Sequence, residues 1–321
     1  MSKNINHLLS KLNIHPVLVD VGASVSPPKI WEKIAQHSIY VGFDPDLRDI
    51  QEIAEGRFRK SVIINKAITN DKEKNEVLFY FTRSPYCSST LKPDTESLAN
   101  FLFSDLFVVE SEATVRATSL DAVMSRLSLP KLDWFKTDSQ GTDLRLFNSL
   151  KDEVRAKVLA VDIEPGLIDA YIDEDLFVDA HRDLTQNGFW LSNLAVHGAV
   201  RIRKSAVHHA QAAHISSDLI EKTVRRSPGW VEARYFRTIE WLVQDDFNQR
   251  DYVLLWVFAL LDRQLGFALD LAVECERIFG QDDVLQVMYA EPIARIQRSR
   301  HIAIARTLVR SFRQLKNYLV K

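Results

Sequence analysis

Cysteine, glycine, net charge and long apolar runs are all scarce in this chain, and each shortage excludes something. Two cysteines in 321 residues, Cys87 and Cys275, lie too far apart for a thiolate metal site or a disulfide framework, so a reducing compartment is the simplest expectation. Ten glycines include no G-x-G-x-x-G run, and the backbone therefore offers no glycine-lined helix start for a pyrophosphate. A formal net charge of −2 provides no whole-molecule attraction for nucleic acid. The longest apolar run, Tyr252 to Leu261, is cut by Asp262 and Arg263 and is too short to cross a bilayer. The opening MSKNINHLLSKLNIHP has no apolar core and no small-residue cleavage site, which predicts no secretory leader. A soluble, cytoplasmic protein is expected.

With 46% hydrophobic and 26% charged residues the chain can bury a sizeable core. Short apolar runs alternate with helical patterns through its first part, the signature of βαβ units and a mainly parallel sheet. Strands are predicted near Val17 to Val21, Ile39 to Phe43, Ser61 to Ala67, Trp134 to Thr137 and Val158 to Ile163, with an extra strand from Glu76 to Thr82. Helices are predicted for Pro28 to Gln36, Asp46 to Glu55, Ser119 to Leu127, Thr142 to Leu150 and Asp173 to Asn187. Residues 83 to 97 read as a long polar loop, a length that is usually functional or mobile. Phe189 to Leu194 resumes strand, and Trp230 to Thr238 alternates weakly enough to be a strand or a helix start. Apolar residues from Tyr252 to Cys275 recur at three and four, predicting one long helix ending at Gly280. A last helix is predicted from Pro292.

Chemistry gathers at the predicted strand ends, where open α/β sheets bind ligands. VLVDVGAS at 17 to 24 runs an apolar strand into an acid and a glycine, and YVGFDPD at 40 to 46 ends a second strand in Asp44. A carboxylate there can accept both ribose hydroxyl protons, and Gly22 lets backbone approach a ligand. The turn continues Ser24, Val25, Ser26, Pro27, Pro28, which suits a nucleoside cofactor without a diphosphate. S-adenosylmethionine is such a cofactor.

The order VDVGAS, GFDPD, INKAITND, ATSLDAVM, LDWFKTDSQGTDLRLF, VLAVDIEP, from Pro16 to Leu194, resembles the FkbM-like family of S-adenosylmethionine-dependent methyltransferases. KTDSQGTD at 136 to 143 is its most specific part, with Asp143 where a glutamate is commoner. The resemblance implies a Rossmann-like class I methyltransferase sheet with helices on both faces, closed by a final antiparallel hairpin. It also implies an O-methyltransferase acting on a saccharide or glycosylated small molecule. Methylation of another nucleophile, and an interaction protein that keeps the fold without turnover, are the alternatives.

On this reading Asp20, Gly22, Ala23 and Ser24 line the methionine end of the cofactor, Asp44 holds the ribose, and Ala67 and Asp138 complete the pocket. Asp46 reads as an N-cap. Asp138 and Glu164 are the candidate catalytic groups, each able to take a proton from the acceptor; an N-cap role for Asp138 carries equal weight. Asp162 and Glu164 are read as facing opposite sides of the sheet, so that only one faces the pocket. A Mg²⁺ held by Asp138 with one of them ranks below a metal-free site, because no dedicated ligand cluster is present. His181, His197, His208, His209 and His214 are further candidate bases, with HHAQAAH taken as a solvated helix surface. The expected organisation is a methyltransferase domain over 1–240, with a basic insertion or cover at 197–229, and a C-terminal helical region over 241–321. From Pro292 to Lys321 there are eight Lys or Arg and no acid, so packing within the chain, a homodimer contact and a peripheral membrane contact all compete for that helix.

Overall fold

A computed structural model describes residues 3–23, 26–46 and 56–299. The chain divides into two compact units, His15–Phe247, and Met1–Ile14 with Asn248–Lys321. The first fourteen residues thus group with the C-terminal helices, not with the sheet.

Ten strands form in the larger unit: β1 (Val17–Val21), β2 (Ile39–Phe43), β3 (Lys60–Ile64), β4 (Ala67–Ile68), β5 (Glu76–Thr82), β6 (Val109–Thr118), β7 (Trp134–Thr137), β8 (Ala160–Ile163), β9 (Phe189–Val200) and β10 (Arg226–Arg237). Seven of them make one sheet in the order β3-β2-β1-β7-β8-β10-β9, while β4, β6 and β5 form a small second sheet. Pairing is parallel from β3 to β8 and antiparallel on both sides of β10. The result is a mixed α/β sheet flanked by helices, compatible with a Rossmann-like fold.

Alternation along the strands sends two different sets of side chains to the two faces. Val19, Val21, Val41, Phe43, Phe135, Val161 and Ile163 pack with Leu146 and Phe147 of the helix Asp143–Asn148 and with Val123 and Met124 of the helix Leu120–Arg126. The opposite face is aromatic: Trp31 lies edge-on to Tyr40 and Trp134 at 6.2 and 5.8 Å, and Trp134 to Phe236 at 5.9 Å. Each such pair adds about 0.5–1.5 kcal/mol beyond its buried area.

Several expected elements take another form. Pro28 to Gln36 makes two single 3₁₀ turns, Trp31–Lys33 and Ala35–His37. Ser119 caps its helix as expected, its hydroxyl accepting from the Ala122 N–H at 3.3 Å. Helix Phe177–Gln186 starts four residues later than predicted, after Asp173 at φ +59. The 83–97 segment is tied down by a Tyr80–Ser89 bridge, the 3₁₀ turn Pro85–Cys87 and the short helix Thr95–Leu98. Between β9 and β10 the helices Lys204–Ala212 and Ser217–Thr223 cover residues read as an insertion. The 46–55 helix falls on residues 47–55, outside those described.

In the smaller unit the stretch predicted as one long helix is two, Gln249–Leu261 and Leu265–Phe279, separated where Arg263 takes φ +63. Every residue from Asp251 to Leu261 is buried, so the first of these is a central helix and not an amphipathic one. A further helix runs from 283 to 299, passing through Pro292 instead of starting there. The Trp256 indole N–H donates to the Met288 carbonyl at 3.1 Å. Among the described residues no helix is long and apolar enough to cross a membrane. Most of the basic 292–321 segment lies outside the described residues.

Candidate functional site

The chain leaves β1 toward β2 and β3 on one side and returns to β7 and β8 on the other, and the crevice at such a switch point is where open sheets take ligands. There the structure has a cleft of about 720 Å³, counted to its open mouth. Gly22 after β1, Asp44 and Asp46 after β2, Lys66 and Ala67 after β3, and Asp138 after β7 line it. Tyr86, Ser88 and Thr90 enter from the segment read as a polar loop.

Gly22 takes φ +81, and a Cβ on it would meet the Asp138 carbonyl oxygen at 2.1 Å. The missing side chain is therefore required by the neighbouring strand end, in addition to any ligand approach. Asp138 N–H donates to the Val21 carbonyl at 2.9 Å, which locks the two strand ends together. Ala23 is buried, its N–H donating to Phe43 O at 3.0 Å. Ser24 lies outside the described residues.

Asp44 is 6% exposed, and its Oδ1 accepts from the Asp46 N–H at 2.7 Å. No ion pair reaches it among the described residues, and burial pushes its carboxyl up to about 6. Asn65 fixes the backbone beneath it, its side-chain amide donating to the Asp44 carbonyl at 2.8 Å.

Asp20 does not line the cleft. It stands second from the end of β1, beside Lys136 in register, and its carboxylate meets the Lys136 ammonium at 3.0 Å and the Tyr40 hydroxyl at 2.9 Å. Register continues the row, since Lys136 lies beside Asp162 and Asp162 beside Arg234, which holds it through two 2.8 Å hydrogen bonds. Alternating charges thus cross four strands on the aromatic face, and Asp20 serves that row.

Asp162 lies in β8 and Glu164 just past its end, and the two open onto the same side, contrary to the sequence reading. Both border a small cavity with Lys136 and Arg234. Glu164, beyond the last hydrogen-bonded residue of β8, also reaches a second and larger chamber.

This chamber, about 1050 Å³ to its mouth, adjoins the cleft and shares Tyr86, Asp138 and Gln140 with it. Phe103, Phe107, Tyr171 and Trp230 supply its apolar wall, and Glu164 and Glu174 supply carboxyls. Burial, and then the Asp138 carboxyl, push Glu164 well above the usual carboxylate range, which favours its protonated form. Asp138 is oriented by Gln140, whose amide donates to Asp138 Oδ1 at 2.5 Å while its Oε1 accepts from the Tyr171 hydroxyl at 2.9 Å. Gln140 holds φ +57, a conformation that a non-glycine residue keeps only where its surroundings fix it.

Asp138 is not the helix cap. Thr142 holds the N-cap position without a side-chain hydrogen bond, and the turn before it is fixed by the Ser139 hydroxyl accepting from the Thr142 N–H at 3.2 Å and by Asp143 Oδ1 accepting from the Ser139 N–H at 3.2 Å. Asp143 is fully buried, and burial followed by the Asp138 charge raises it to about 7.

None of the five histidines considered from sequence lines the cleft or the chamber. His181 bonds the Tyr235 hydroxyl at 3.1 Å, and His197 stacks on Trp230 at 5.3 Å. His208, His209 and His214 are exposed. Among the described residues no three His, Cys, Asp or Glu side chains converge to hold a metal ion. The aromatic wall went unforeseen, because Phe103, Tyr171 and Trp230 come from distant segments without a shared motif. A resolved strand at β10 would have placed Trp230, but only there. Compared with known proteins, the chain matches no family model and no curated protein sequence.

Proposed function

We propose that the His15–Phe247 unit is an S-adenosylmethionine-dependent methyltransferase, which binds its cofactor in the cleft and directs the methyl group to a hydroxyl oxygen of a saccharide or glycosylated small molecule in the adjoining chamber. The observation that carries this reading is the meeting of two cavities at one carboxyl group, Asp138, directly outside the sheet's switch point. The strand order, with β10 reversed between β8 and β9, supports it as well, since a closing antiparallel hairpin is what the resemblance implies.

The residues present fit the cofactor. Asp44, buried at the end of β2 with no ion pair reaching it among the described residues, would accept the ribose hydroxyls. Gly22 and Ala67 line the cleft with no side chain larger than a methyl group. When bound, the cofactor supplies an electrophilic methyl carbon on a sulfonium. The protein's own contribution is positioning: it holds the acceptor oxygen against that carbon, and Asp138 takes the hydroxyl proton as the new bond forms. Glu164, carrying its own proton at neutral pH, donates a hydrogen bond to the acceptor instead of acting as the base.

Calorimetry with S-adenosylmethionine and its demethylated product tests the cofactor, and an acceptor screen with labelled methyl tests the reaction, run with and without chelator. Binding without turnover on any acceptor would favour the interaction protein; no heat with either ligand would remove the proposal.

A further inference from the structure

The second chamber has carboxyl groups and aromatic rings on its walls and no cation. Asp138, Glu164 and Glu174 face it together with Phe103, Tyr171 and Trp230, and among the described residues no Lys, Arg or His lines it. The charges around Glu164 are Lys136, Asp138, Asp143 and Glu232. Lys136 is the single cation of that group, and it is held by Asp20 at 3.0 Å. Glu174 Oε2 accepts from the Ala170 and Tyr171 N–H groups at 2.7 and 3.0 Å, which fixes the carboxyl without neutralising it. Burial raises both Glu164 and Glu174 above the usual carboxylate range, and Lys136 offsets only part of the rise at Glu164.

Building on the methyltransferase reading, we propose that the acceptor is a hydroxyl compound carrying a protonated amine, an amino sugar or aminocyclitol in chemical class, and that the chamber refuses anionic acceptors. An ammonium group there faces three carboxyls and the electron-rich faces of aromatic rings, two attractions that strengthen where water is excluded. A phosphate or carboxylate at the same place finds no cation on the lining and is repelled by the ionised carboxyls. The ring of such an acceptor has an apolar face to lay on Trp230, which His197 stacks on and Phe103 adjoins at 6.4 Å. Arrival of the ammonium favours the ionised form of Glu164, which releases its proton on binding.

Three probes of one shape separate these effects: 4-aminocyclohexanol, cyclohexane-1,4-diol and 4-hydroxycyclohexanecarboxylate. Each is titrated calorimetrically into the full-length protein at pH 8 with S-adenosylhomocysteine present. The amine is expected to bind about tenfold more tightly than the diol, and the carboxylate to give no heat. Repeating the amine titration in buffers of different ionisation enthalpy should show proton release, absent in Glu164→Gln. Trp230→Leu should weaken the amine by about tenfold while leaving S-adenosylhomocysteine affinity unchanged, which also reports that the variant is folded. The inference is overturned if the diol or the carboxylate binds as tightly as the amine, or if a protein that binds S-adenosylhomocysteine ignores the amine. Amine binding without S-adenosylhomocysteine binding would instead strike the cofactor reading and leave the chamber's charge preference standing. Failure of both ligands overturns both.

Discussion

In the unit that contains Asn248–Lys321, the two buried acids each have an arginine close by in sequence: Asp251 meets Arg250 at 3.0 Å and Glu291 meets Arg295 at 2.8 Å. In the His15–Phe247 unit, Asp44 and Asp143 are buried with no cation on them among the described residues, and Glu164 and Glu174 are raised beside them. The contrast is physical. A unit built to pack neutralises the charge it buries, because an uncompensated buried charge destabilises it. Charge left uncompensated along one sheet edge is tolerated where a ligand meets it, which is why shifted carboxyls gather at functional sites. Even inside the sheet unit the division holds, since the Asp20–Lys136 and Asp162–Arg234 pairs sit away from the cleft on the aromatic face.

The largest break in this contrast is expected at Asp138. Asp138→Asn should keep S-adenosylmethionine affinity while turnover falls by roughly two to four orders of magnitude; full turnover would assign Asp138 to orienting Gln140 alone. Next comes the paired row. Lys136→Met leaves Asp20 buried without a cation, with only the Tyr40 hydroxyl donating to it, which should cost about 3–5 kcal/mol of stability by denaturant unfolding. Arg250→Met also strips the cation from a buried acid, but its arginine is 26% exposed, so the loss should be smaller than for Lys136→Met. Equal losses in the two variants would erase the distinction between the row and an ordinary pair.

How far these features were legible depends on whether they are local. Strands β1, β2 and β7 stood out as short apolar runs, and Asp44 was legible because the end of the second strand is a fixed place in such sheets. Asp20's partners, Lys136 and Tyr40, were not legible, because they are set by strand register, which one sequence does not reveal. Tyr252 to Leu261 read as one face of a long helix, since a run that is apolar all round satisfies any periodic template. The break after it rests on a left-handed Arg263, a residue type with no preference for that conformation. The chamber wall was least legible of all, assembled from Phe103, Tyr171 and Trp230 by tertiary folding.

A smaller effect sharpens the comparison at the cleft. Asp44→Ala should weaken S-adenosylmethionine by about 1.5–3 kcal/mol, the range for hydrogen bonds to a charged group, with little loss of stability. Because Asp44 titrates at about 6, wild-type affinity should also fall as pH drops through 6, and the alanine variant should lose that dependence. Unchanged calorimetric affinity in the variant would remove Asp44 from the site.

The last comparison distinguishes the units by pH alone. Glu164 is raised from 4.5 to about 9 by burial and then by Asp138. Between those values the folded protein binds more protons than the unfolded chain, so stability falls as pH rises through that window and levels off above it. Asp143 and Glu174, each at about 7, add to the lower part with the same sign. In the other unit Glu274 is lowered by its hydrogen bond with Arg277, so its contribution is present above 4.5 and is lost only on acidification. Cys275 and Tyr252 there are raised by burial to about 12, well above neutrality. Hydrogen exchange corrected for intrinsic rates, compared at pH 6.5 and 8.5, should therefore show protection falling in β7, β8 and β10 and holding steady in Gln249–Leu261. Glu164→Gln should abolish most of the fall, because its amide has no proton to lose. A parallel decline in both units, or an undiminished decline in the variant, would mean that the sheet edge does not carry the uncompensated charge.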